Sequence, residues 1–159
     1  MTKPDWLAFQ FLVGEWIGQG GGAPGQGGGS LVFQFDLQQQ VLLRKNHVEF
    51  PAVQGQPAFA HDDLTVIFPD PSGSIMQATY YDNEGHVIHY TVGMTDDGRM
   101  VTFVSEPMPS TPRFRTTYIR GKDETMTIRF EIAPPDKPDD FIVYTEGTAA
   151  RENPAGVKG

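Results

Sequence analysis

The chain contains no cysteine. That excludes disulfides, thiolate nucleophiles and cysteine-bound metals, and it fits a reducing compartment. Basic residues are scarce, with 12 Lys and Arg against 20 Asp and Glu and a net charge of −8. No Lys/Arg cluster exists to neutralise a phosphate backbone, so no nucleic-acid partner is expected. No run approaches the roughly 18 apolar residues of a membrane-spanning helix. The opening, MTKPDW, has neither the apolar core nor the small-residue cleavage site of a secretory signal. Together these absences predict a soluble, cytoplasmic protein without a membrane span. H-E-x-x-H, an acidic calcium loop and a G-x-S-x-G elbow are missing too.

What is present is an ordinary globular mixture, 38 % apolar and 20 % charged over 159 residues, enough for a single domain with its own core. The expected division is a helix over 4–13, a barrel over 15–150 and a frayed tail over 153–159. The chain is organised around Asp5 to Gly20. Trp6, Leu7, Phe9, Phe11, Leu12 and Val13 recur at near-helical spacing behind Pro4 and Asp5. Asp5 reads as a cap or first-turn acid and Gly14 as the stop. This helix should plug one mouth of the barrel, and Gly14-Glu15-Trp16 should start the first strand.

Residues 18 to 29 hold eight glycines. Gly18, Gly20 and Ala23 formally match a dinucleotide fingerprint, but that motif needs a strand before it and a helix after it. Pro24, further glycines and the strand-like Leu31 to Phe35 follow instead, so a hairpin tip at the barrel rim is the better reading.

Turn signals then recur at regular spacing: Gln54 to Pro57, Pro69 to Gly73, Asn83 to Gly85, Asp96 to Gly98 and Gly121 to Asp123. The segments between them are rich in Val, Ile, Thr, Phe and Tyr. Strands are expected at 15–20, 30–37, 40–50, 59–68, 75–82, 86–94, 100–105, 113–120, 125–132 and 141–150. The fold class is therefore all-β, an up-and-down antiparallel barrel of about ten strands with one short N-terminal helix.

Period-two alternation assigns faces. Met126, Ile128, Phe130 and Ile132 should point inward, as should Leu64, Val66 and Phe68, and Phe114, Thr116 and Tyr118. Lys45, His47 and Glu49 form the more charged face of their strand, which puts Leu42, Arg44, Asn46, Val48 and Phe50 inside. Polar groups on inner faces are the informative ones, because burying them unpaired is costly. Arg44, Asn46 and Asp62 would form one such cluster; Tyr80, Asp82, His86 and Tyr90 would form another around the 83–85 turn. Tyr118, Arg120, Tyr144 and Glu146 are further inward candidates. Such a cavity would hold a small hydrophobic or amphipathic molecule.

Two other readings compete. In an enzyme of hydrolase or isomerase type, His86 would be a general base oriented by Asp82, with Ser105 as the one strand-borne candidate nucleophile. In an interaction module, Phe33, Phe35, Phe103, Phe114 and Phe130 would fill the barrel and an outer face would pair with another subunit. A homodimer is compatible with every reading. His47 and His61 would face each other on the outer surface near Glu49 and Asp63, more simply as a solvated polar face than as a metal site.

The leading helix, Gly14-x-Trp16, the glycine-rich first turn and about ten strands resemble the calycin superfamily. Within it the likeness is to nitrobindin-like and fatty-acid-binding-protein-like barrels. VLLRKNHVEFPA, DNEGHVIHYTV and IRFEIAPPDKP are similar to bacterial members of that group that form a domain of unknown function. The resemblance spans nearly the whole chain and implies a meandering barrel around a small lipophilic ligand. Haem is the cofactor that the nitrobindin-like branch implies, but its histidine ligand comes late in the chain. Here no histidine follows His89, so that ligand has no counterpart and the cofactor stays unassigned. The Arg-x-Tyr carboxylate site of fatty-acid-binding proteins has no counterpart either, because the last strand reads Ile142-Val143-Tyr144.

Overall fold

The computed structural model describes residues 3–19 and 29–152. The expected tip at 20–28 and tail at 153–159 lie outside these. Ten strands follow in order: β1 (Gly14–Gln19), β2 (Gly29–Asp36), β3 (Val41–Phe50), β4 (Phe59–Pro69), β5 (Met76–Asp82), β6 (Val87–Met94), β7 (Met100–Ser105), β8 (Arg113–Arg120), β9 (Thr125–Ala133) and β10 (Ile142–Arg151). Each pairs antiparallel with the next, and β10 returns to β1 through Trp16 opposite Arg151, which closes the barrel. Closure leaves no sheet edge to be protected.

One end is sealed by the N-terminal segment. The helix there is a 3-10 helix, Leu7–Leu12, shorter and tighter than the ten-residue amphipathic helix the apolar spacing suggests. The reason lies in the residues it buries. Trp6, Phe9 and Leu12 are the buried ones, spaced by three; a helix with three residues per turn stacks that set in one line, where an α-helix would spread it over about 120°. Asp5 does serve its first turn, accepting a hydrogen bond from the Leu7 amide at 3.0 Å.

Polar ties hold the plug in place. The Trp6 indole N–H donates to the Gln39 carbonyl in the β2–β3 turn at 2.7 Å, and the Trp16 indole N–H donates to the Leu12 carbonyl at 2.8 Å. Arg151, at the end of β10, donates to the carbonyls of Phe11 and Val13 and lies over the Trp16 ring, 4.4 Å from its centroid. Gly14 permits this. Its φ of +130° disfavours a side chain, and the Arg151 guanidinium occupies the space a Cβ would need. Under the plug lie Phe33, Leu42, Ile67, Val101 and Met126, all almost fully buried. Each such side chain contributes about 1.5–3 kcal/mol of apolar burial.

The opposite end is the mouth, carrying the β3–β4, β5–β6, β7–β8 and β9–β10 connections. Inner faces agree with expectation on β9 and β8, where Ile128, Phe130, Phe114, Thr116 and Tyr118 line the interior. On β4 the expectation is off by one residue. Phe50 pairs with Phe59, so Asn46 faces Asp63 and Arg44 faces Thr65. Directly opposed residues share a face, so His61, Asp63, Thr65 and Ile67 point in, and Asp62, Leu64, Val66 and Phe68 point out. Glu146 also faces outward, bonded to Arg129 at 2.6 Å, and Arg120 is exposed at the plug end of β8.

Candidate functional site

Between plug and mouth the barrel keeps a cavity of about 700 Å³. Its walls are mainly apolar, with Leu31, Val48, Ile88, Phe103, Phe114, Ile128 and Phe130 contributed by β2, β3, β6, β7, β8 and β9. Phe33, Phe103 and Tyr118 pack edge to face, with ring centroids 5.4 and 5.6 Å apart, and form the boundary toward the filled half. Phe33 is thus core, whereas Phe103, Phe114 and Phe130 bound open space rather than fill it.

One side of this cavity is polar, and its centre is Asp63, whose side chain is 4 % exposed. Asp63 accepts from the Arg44 guanidinium, from Asn46 Nδ2 at 3.0 Å and from His61 Nε2 at 3.2 Å. Tyr80 Oη lies 3.2 Å from His61 Nε2 and donates to Asp82 Oδ2 at 3.0 Å. Asp82 also takes the ring N–H of His86 at 2.8 Å and the amides of Glu84 and His86. A continuous polar chain therefore runs from Arg44 in the interior to His86 at the rim. The turn that permits its outer end needs Gly85, which sits at φ +93° between Asp82 and His86.

The charges in this chain are set by their neighbours. Burial opposes the Arg44 charge, but Tyr118 and Asp63 more than offset it and hold its pKa above the ordinary value. The Arg44 Nε–H is buried without an acceptor, a defect worth about 1–3 kcal/mol. Burial likewise opposes protonation of His61, yet Glu84, 3.0 Å from Nδ1, and Asp63 raise its pKa. Partial burial pushes Asp82 up, but the bonds from His86, Tyr80 and Glu84 win and bring it down to about 2. Burial pushes Tyr80, Tyr90 and Tyr118 up, so all three remain O–H donors at neutral pH.

Of the residues singled out from sequence, Arg44, Asn46, Tyr80, Tyr90 and Tyr118 line the cavity, and Tyr144 stands at its mouth. Asp82 touches it through Tyr80. His86 is 62 % exposed at the rim, outside the lining. Asp62 is corrected: its side chain is 54 % exposed on the outer face and bonds His47 Nδ1 at 2.6 Å. The register that turns Asp63 inward turns its neighbour out. His47 and His61 are accordingly on opposite faces, and the described residues contain no group of three or more His, Asp or Glu side chains arranged for a metal.

Asp63, His61, Thr65 and Thr116 are among the lining polar residues not singled out as site candidates. The signal for the first three was the aromatic pair Phe50 and Phe59, stacked at 4.7 Å across the loop. Pairing those two fixes Asn46 against Asp63.

For catalysis, Asp82 and His86 have the geometry of an orienter and base. Ser105 is buried, and its Oγ accepts the Phe114 amide at 2.8 Å. No contact among the described residues joins it to His86. The lining offers haem no free histidine. His61 is the one histidine in the lining, and both its ring nitrogens are engaged by Asp63, Tyr80 and Glu84. No described helix is long and apolar enough to cross a membrane.

The fold and site define a class: a closed ten-stranded up-and-down barrel, plugged at one end and hollow toward the other. No protein-family model and no curated protein matches this sequence.

Proposed function

We propose that this barrel binds a small hydrophobic or amphipathic molecule in its cavity and belongs with the calycin-like binding barrels. The observation that carries the reading is the cavity of about 700 Å³, apolar on most of its wall and polar on one side. That volume lies within the roughly 300–1,000 Å³ of small-molecule sites. Arg44, Asn46, Asp63, Tyr80, Tyr90 and Tyr118 would meet the polar part of the ligand; Ile88, Ile128 and the phenylalanines would meet the rest. Asp82 and His86 would orient Tyr80 from the rim.

Native mass spectrometry of the purified protein beside its denatured spectrum, with an absorbance scan, tests this. A retained small mass that is lost on denaturation is the expected result. A bare polypeptide that also fails to take up any added lipophilic compound would refute it.

A further inference from the structure

The polar side of the cavity specifies the kind of head group it accepts. Arg44 and Asp63 are ion-paired to each other, and His61 faces Glu84 at 3.0 Å, so protonation of its ring is matched by that carboxylate. The interior cluster is therefore neutral as built, and the carboxylates nearest the mouth, Glu49, Asp82 and Glu84, add negative charge outside it.

Hydrogen-bonding capacity is the second count. Asp63 already accepts from Arg44, Asn46 and His61, so its oxygens have little left to offer a ligand donor. Free hydroxyl donors are at hand: the Tyr90 hydroxyl faces the cavity with no hydrogen bond to the described residues, whereas the unpaired Arg44 Nε–H is buried out of a ligand's reach. Tyr118, beside Arg44, adds another O–H. A carboxylate placed here would leave a second negative charge against Asp63. An ammonium would add a positive charge beside Arg44. Either leaves an uncompensated charge in a partly dry site, which is costly.

We propose that the ligand's polar end is an uncharged oxygen group, a ketone, ester carbonyl or alcohol, accepting from Tyr90 and Tyr118. This rests on the cavity being the binding site, and the test separates the two. Dodecanol, methyl decyl ketone, dodecanoate, dodecylammonium and dodecane share one chain length. Their affinities are compared at pH 8, below micellar concentrations, by displacement of a polarity-sensitive dye. The alcohol and ketone should bind at least about tenfold more tightly than either ion, which is about 1.4 kcal/mol. Asp63→Asn, which unbalances Arg44, should shift preference toward dodecanoate. Tyr90→Phe should weaken alcohol and ketone binding while leaving dodecane unchanged, and it does not depend on Asp63→Asn folding. Equal or tighter binding of dodecanoate or dodecylammonium by the native protein overturns the proposal. So does dodecane matching the alcohol and ketone, although cavity binding would then stand. Failure of all five compounds removes the cavity reading and the proposal with it.

Discussion

Asp63 is the residue on which the site turns. Its carboxylate is 4 % exposed and joins Arg44, Asn46 and His61. Removing one member of such a buried pair strands the other charge, which costs about 3–5 kcal/mol. Asp63→Ala should therefore lower the urea midpoint strongly, whereas Arg44→Met with Asp63→Leu, which removes both charges, should recover most of the loss. The pH dependence has a definite sign. His61 has its pKa raised in the folded state, so its contribution is full below its unfolded value of about 6.5 and is lost as pH rises through the folded value. Asp82 acts oppositely: its contribution is full above the unfolded carboxylate range and is lost as pH falls toward about 2. Urea midpoints between pH 6 and 8 should fall less in His61→Gln than in the native protein. Residue-level reading of the sequence was sound on β3, where Lys45, His47 and Glu49 marked the outside. It failed on β4 because the rule "apolar means inside" assumes a filled barrel. Here Asp63 and Thr65 face a polar cavity, while Leu64 and Val66 lie half-buried on the outer face beside Tyr81 and Leu43.

At the scale of elements, turn residues and β-branched runs were enough to locate every strand to within a residue or two, because most strands are bounded by Gly, Pro, Asn or Asp. The plug was legible as apolar but not as a 3-10 helix, since its period of three shows only once Trp6, Phe9 and Leu12 are known to be the buried set. Two substitutions test how the plug end is held. Gly14→Ala forces a side chain into positive φ and against Arg151, and should cost about 1–3 kcal/mol by thermal or urea unfolding. The β2–β3 turn carries Leu37, Gln38 and Gln39 at φ of 50°, 57° and 68°, a conformation costing about 1–2 kcal/mol per side chain. Gln38→Gly relieves one of these against a smaller entropic loss and should stabilise the protein by about 0.5 kcal/mol.

For the whole molecule, the decisive feature is the division into a packed half and a hollow half. Closure of β1 on β10 and the Trp6 and Arg151 ties make the plug end a conventional core. The mouth end spends the same strands on a cavity wall. Nothing in strand periodicity distinguishes these halves, since phenylalanines point inward in both. A saturation titration with a polarity-sensitive dye, on native protein and on Ile128→Trp, tests this division most directly. Ile128 lines the cavity, and a larger ring there should narrow it and obstruct a ligand. One saturable site per chain in the native protein, weakened in Ile128→Trp with circular dichroism unchanged, is the predicted result. Absence of saturable binding in the native protein, or equal binding by a folded Ile128→Trp variant, would contradict a ligand-binding barrel.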